Sequence, residues 1–255
     1  MTDHNAKTDY SNLLSTEKMA CFNSNFPNAP FKSYLLNVEI SKHFFVWLHF
    51  FEITLRNRIS THLNKHWPDW YMPESYFCNE ILTKKHKSKI KYAHTKFLEN
   101  DKNDGKTITV NNVISDLSFG FWTAMFNEKY HKKIWMHTKH KKVFYNTKMT
   151  KLHDISMNLS MISDDLNSIR EIRNRIMHCE QIISHAPELQ MKNIIRYLSS
   201  IIPNKDISII CDIKEIAQDK ELDKSFSELS MLKSCDDLKF NISWSSEHFR
   251  TLKNN

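Results

Sequence analysis

Between residues 38 and 67 the apolar positions Phe44, Leu48, Phe51, Leu55, Ile59 and Leu63 recur at steps of three and four, which gathers them on one face of a helix. Pro68 ends that helix, since proline carries no amide hydrogen for the ladder. The most regular pattern lies between residues 151 and 179. There Leu152, Ile155, Leu159, Ile162, Leu166 and Ile169 step by 3, 4, 3, 4 and 3, a seam made for a facing helix. The next seam position is Arg173, and Ile176 resumes the apolar run. An arginine on such a seam is costly to bury unless something anionic or a polar cleft meets it.

Shorter patterns fill in the rest. Ser15 is placed to cap a short helix that ends before Asn28-Ala29-Pro30. The basic stretch at 84–92 reads as helical, Asp101 to Lys106 as a loop, and the segment with Leu117-Ser118-Phe119-Gly120-Phe121-Trp122 as helical again. Ser184-His185-Ala186-Pro187 breaks the chain and opens a helix through Met191, Ile194, Leu198 and Ile201, stopped at Pro203. Leu222, Phe226, Leu229 and Leu232 predict one more. No repeat and no strong domain boundary is visible, so a single domain over 1–255 is expected.

Composition sharpens this. Two glycines and six prolines in 255 residues are too few for the turns of a sheet protein, so an all-α helical bundle with little or no sheet is expected. Glycine-rich phosphate loops are absent, which removes the signatures of dinucleotide-binding and nucleotide-hydrolysing folds. Thirty-six Lys and Arg against 29 Asp and Glu give +7 and a pI near 9.0, a balance compatible with an anionic partner or with plain solubility. Cys21, Cys78, Cys179, Cys211 and Cys235 are odd in number and contain no C-x-x-C pair, so neither a disulfide framework nor a zinc knuckle is expected. His131, His137 and His140 lack acidic companions at ligand spacing, and no metal or other cofactor is expected. The polar beginning, MTDHNAKTDY, carries no signal peptide, which predicts a cytoplasmic protein. The most apolar run, 44–55, is interrupted by His49 and Glu52 and falls short of the roughly 20 residues that span a membrane.

The candidate chemistry sits at the seam arginine. The chain reads Ile169-Arg170-Glu171-Ile172-Arg173-Asn174-Arg175-Ile176-Met177-His178-Cys179-Glu180, an R-N-x-x-x-H motif. Arginine and histidine at this spacing are weak evidence alone, because Arg56-Asn57 followed by His62 gives a near match. On an ideal helix Arg56 and His62 are about 240° apart, and surface placement is the expectation for both. Glu52 and Arg56 share a face at i, i+4 and are expected to pair. The basic clusters at 84–92 and at Lys139, Lys141 and Lys142 are either phosphate contacts or solvated lysine faces.

Three segments in one order strengthen the match at Arg173-Asn174 and His178. Phe51-Glu52-Ile53-Thr54-Leu55-Arg56-Asn57-Arg58, then Leu117-Ser118-Phe119-Gly120-Phe121-Trp122, then the R-N-x-x-x-H segment with Glu180 after it resemble the Abi-like family of bacterial abortive-infection proteins, related to AbiD and AbiF. That family belongs to the wider HEPN superfamily of helical ribonucleases and RNA-binding domains. The resemblance covers roughly residues 14–202, with 203–255 as a helical extension. Members commonly read R-N-R, a hydrophobic and a small residue, then H-H-E-P. Here Cys179 replaces the second histidine and Gln181 the proline, while Arg173, Asn174, His178 and Glu180 match.

The resemblance implies a HEPN-type helical bundle acting in antiviral defense as a toxin, a metal-independent endoribonuclease held in check by an RNA or protein antitoxin. It implies Arg173, Asn174 and His178 as catalytic residues; Glu52, Arg56, Arg170, Arg175, Glu180, Lys139, Lys141 and Lys142 are the candidates for binding RNA or supporting the site. The residue types suit that chemistry. RNA brings its own 2′-hydroxyl nucleophile, so the site needs a proton acceptor, a proton donor and positive charge on the phosphate. Histidines titrate near neutrality, and an arginine fork grips phosphate oxygens. On one straight helix Arg173 and His178 are about 140° apart, while Asn174 and His178 are i, i+4 neighbours. The arginine must wrap round, the helix must loosen, or two copies must meet as a homodimer, as HEPN ribonucleases do. The plain alternative is structural, with His178 capping its helix and Arg173 bridging to Glu52. Phe119, Phe121 and Trp122 either stack bases or fill the core. Two rival functions keep the fold, a non-catalytic RNA-binding protein and a helical scaffold for protein partners.

Overall fold

The computed structural model describes residues 14–100, 103, 105–138, 143–144, 155–203 and 206–235. It is 78% helical, with no strand among the described residues, so the all-α expectation holds. The principal helices are α1 Thr16–Asn25, α2 Pro30–His66, α3 Lys84–Leu98, α4 Val110–Asp116, α5 Phe119–Ala124, α6 Ile155–Met177, α7 Pro187–Ile201, α8 Ile209–Ala217 and α9 Asp219–Cys235. Two π-helical turns, Phe77–Ile81 and His131–Trp135, lie between them. None of the described helices is long and apolar enough to cross a membrane. The chain divides into two compact units, Met1–Ile40 with Lys220–Asn255, and Ser41–Asp219.

In the first unit Ser15 caps α1, its Oγ accepting from the Lys18 amide at 3.2 Å, and Phe22 meets Tyr34 edge-on at 5.4 Å. Pro30, expected to mark a break, instead opens α2 well before residue 38. A proline's fixed φ and missing amide hydrogen suit the first helical turn, where that hydrogen would have no partner. The C-terminal region holds α8 as well as the expected α9. The two are separated by Gln218 in the left-handed region at φ 53°, a stop that the Ser- and Lys-rich sequence there conceals.

The second unit positions the site. The six periodic residues of α2, Phe44 to Leu63, are at most 2% exposed, and α2 stops before Pro68 as the sequence predicts. Trp70, carried by the turn that follows, is buried edge-on against Trp122 of α5 at 5.8 Å. Helix α6 packs against α5 and α7. Its seam residues Leu159, Ile162, Leu166 and Ile169 are buried, so the chain itself supplies the facing surface. Polar ties hold the α6–α7 register: Tyr197 Oη and Arg196 Nη2 both donate to Asp165 Oδ2, at 2.6 and 2.7 Å, and Gln190 donates to Ser168 at 2.8 Å.

Candidate functional site

Segments far apart in sequence meet where α2, α5 and α6 touch. Phe51 of α2 packs edge-to-face on Phe119 of α5, with ring centroids 6.0 Å apart. The next residue, Glu52, receives Arg173 of α6, whose Nε and Nη2 each lie 3.3 Å from Glu52 Oε2. One turn earlier on α6, Arg170 lies against α5: a Cβ built on Gly120 would sit 3.6 Å from Arg170 Cδ. Phe119, Phe121 and Trp122 are at most 2% exposed, so of their two readings the core prevails. They hold the helices whose outer edges carry the polar residues.

The Glu52–Arg173 pair is partly buried, with side-chain exposures of 27% for Glu52 and 29% for Arg173. At such exposure an ion pair adds only about 0.2–1 kcal/mol, so its consequence is orientation more than stability. The expected Glu52–Arg56 pair does not form. The Glu52 carboxylate is taken by Arg173, and the shielded Nε of half-buried Arg56 has no hydrogen-bond partner. His62 also departs from expectation. It is 6% exposed, hydrogen-bonded through Nε2 to Thr138 Oγ1 at 2.8 Å and stacked on Trp135, because position 62 falls on the inner side of α2.

Beyond Arg173 the helix stays intact through Met177. Arg173 Nη1 lies 3.5 Å from Asn174 Oδ1, so its guanidinium reaches forward along α6. The His178 amide donates to the Asn174 carbonyl at 2.9 Å, a helical bond that stacks His178 one turn after Asn174. The helix then closes in a Schellman turn. Cys179 takes the left-handed conformation at φ 53°, its amide donates to the Ile176 carbonyl at 3.0 Å, and the Glu180 amide donates to the Arg175 carbonyl at 2.7 Å. The contact that usually joins the two sides of this turn is apolar. Here it is an ion pair, Arg175 Nη1 to Glu180 Oε2 at 3.2 Å. Arg173 is thus directed at Glu52 and Asn174, while His178 is exposed at the end of the helix.

Near the motif stand His185, to which the sequence gives no chemical role, and Lys89, one of the basic cluster at 84–92 whose neighbours the sequence leaves open. His185 follows the turn; burial lowers its imidazole below the usual range, with Arg175 adding to the effect and Glu180 and Glu171 opposing it. Lys89 of α3 donates to Ser118 Oγ at 3.4 Å, and its ammonium is lowered by burial and then by the charges of Lys85 and Arg170. Neither residue stands at motif spacing, and only the folding back of the chain brings them here. Lys139, Lys141 and Lys142 lie outside the described residues. Among the described residues no group of three or more His, Cys, Asp or Glu could hold a metal ion.

The geometry agrees with what comparison of the whole chain finds. A family model described as Abi-like protein matches residues 6–184, a span that includes all three converging segments. No curated protein and no solved structure matches the chain.

Proposed function

The chain belongs to the Abi-like protein family, and from that premise we propose that it is an abortive-infection endoribonuclease that cleaves RNA without a metal ion. The observation that carries this reading is the array Glu52–Arg173–Asn174, held across two helices and followed one turn later by the exposed His178. Arg173 binds the non-bridging phosphate oxygens and the charge that grows on them in the transition state. Glu52 is a positioning residue that holds the guanidinium. Asn174 orients the phosphate or the imidazole, and His178 moves the proton.

The 2′-oxygen attacks phosphorus, the new O2′–P bond replaces the P–O5′ bond, and a 2′,3′-cyclic phosphate remains. One proton leaves the 2′-hydroxyl and another reaches the 5′-oxygen. A single histidine fills one of these roles. This is the ground for including a homodimer in the proposal, with His178 of a second copy in the other role. Arg56, Arg170, Arg175 and Glu180 border the site as RNA-binding or supporting groups.

A second reading has its own observation. Both Nε and Nη2 of Arg173 are directed at Glu52, which suits a structural bridge in a non-catalytic RNA-binding protein. Incubating the purified protein with end-labelled RNA in excess EDTA, beside His178→Ala, separates the two. The nuclease reading expects cleavage that survives chelation, cyclic phosphate ends, and a loss of about 10²–10⁴-fold in the variant. A strict need for Mg²⁺ or Mn²⁺, 5′-phosphate products, or parental cleavage by a stable His178→Ala protein overturns it.

A further inference from the structure

Lys89 of α3 and Arg170 of α6 both come to the Ser118–Gly120 end of α5, with Lys85 and Lys129 as further cations nearby, and among the described residues no carboxylate pairs with them. Lys85 and Lys89 stand one helical turn apart on α3. Lys129 acts on His86 together with both lysines, and Arg170 acts on Lys89. The hydrogen bond of Lys89 to Ser118 is to a neutral, exposed hydroxyl. Like charges at this spacing repel one another unless an anion joins them. Elsewhere on the same helix a lysine is matched in the usual way, Lys96 pairing with Asp116.

Lys89, Ser118 and Arg170 come together beside Gly120 of α5. A Cβ built on Gly120 would stand in ordinary van der Waals contact with Arg170 Cδ, at 3.6 Å, and Ser118 Oγ, at 3.9 Å. Beside this glycine a guanidinium stem, a hydroxyl and the ammonium bonded to that hydroxyl come to one place on the surface of α5. A fork of N–H donors, a point charge and a hydroxyl can share the several oxygens of a phosphate among them. Arg170 stands one turn before Arg173 on α6, so an anion held here is the neighbour of one held at Arg173.

We propose that Lys89, Ser118 and Arg170 form a subsite for a backbone phosphodiester of the RNA strand, beside the phosphate at Arg173. The proposal rests on the RNA-handling reading of the motif and adds the direction in which the strand leaves it, over Gly120 towards α3. Lys85 and Lys129 flank the subsite and supply long-range attraction.

The test measures binding apart from cleavage, by fluorescence anisotropy of a labelled single-stranded 2′-O-methyl RNA, which lacks the nucleophile. Lys89→Gln and Arg170→Gln are each expected to weaken binding about 5-fold or more and to flatten the salt dependence by roughly 0.7 in log–log slope, the value of one lost phosphate contact on a single strand. Lys89→Arg keeps the charge and is expected to bind as the parent does. Gly120→Leu pushes a branched side chain between Arg170 and Ser118 with no change of charge and is expected to weaken binding while the protein, checked by its melting curve, stays folded. Lys224→Gln, an exposed lysine of the other unit, removes the same charge and is expected to have little effect. Parental binding by both Lys89→Gln and Arg170→Gln overturns the subsite, as does an equal loss in Lys224→Gln, or a loss confined to an acidic peptide probe. His178→Ala is silent in this assay, so the nuclease reading can fail while the subsite stands, and the reverse.

Discussion

Two stretches of this chain spell nearly the same motif and come to opposite ends. Arg56-Asn57 and His62 lie inside the long α2, where His62 is buried on Trp135 and bonded to Thr138, while Asn57 lines a pocket with Ser60, Thr61, Asn64 and Asn111. Arg173-Asn174 and His178 lie at the end of α6, where the backbone turns away and leaves the histidine exposed. Residue type and spacing are shared, and position within the helix is not. In mid-helix an inward histidine is absorbed by its neighbours. At the last turn it is presented to solvent with an arginine and an asparagine one turn behind it.

The largest effect that tests this contrast is a crossed pair of substitutions. His62→Ala removes a buried ring and a buried hydrogen bond and is expected to cost about 2–4 kcal/mol, lowering the melting temperature by roughly 5–15 °C with cleavage per folded molecule unchanged. His178→Ala is expected to leave the melting temperature near the parent's and to abolish most cleavage. Thermal melts and the RNA assay on both proteins read this directly, and exchanged results break the comparison.

A smaller effect concerns acid. Burial, then the charges of Lys129, Lys89 and Lys85, push the His86 imidazole down to about 4, and its Nδ1 is paired with the Tyr130 hydroxyl. The unfolded chain takes up a proton near the ordinary value of 6.5 while the folded chain resists until about 4, so stability is expected to fall as pH drops through that window. Melting curves from pH 7 to pH 4 should show the decline, and His86→Asn should reduce its slope. A decline of equal slope in that variant sinks the assignment. Smallest is Cys179→Gly. Glycine adopts the left-handed turn without strain, which is expected to add about 0.5–1 kcal/mol and to raise the melting temperature by about 1–4 °C. No rise would mean that the turn is not strained.

Much of this arrangement was readable before the fold was known. The period of α2 and α6 declares their inner faces, and the bulk of Phe119, Phe121 and Trp122 suits a core. The bridge from Arg173 to Glu52 was one of two readings open to the motif, and the geometry contains it. What sequence could not supply was the identity of neighbours. The α6 seam announces that it needs a partner and is silent on whether that partner is another chain or α5 and α7. Pro30 is equally a breaker and a first-turn residue, and only the chain before it decides. Lys89 looks like any solvated lysine until Arg170 and Ser118, far along the chain, are set beside it.

Glu52 and Arg173 are separated by 121 positions, and this distance has a consequence during synthesis. A nascent chain carries Glu52 early, Gly120 midway, and Arg173 and His178 only after two thirds of its length has been made. No product that ends before α6 contains the array, so such a chain is harmless to the RNA around it in the reading proposed above. The same spacing makes the array a late, long-range closure in folding, and the ribosome that makes this protein finishes most of it before the site exists.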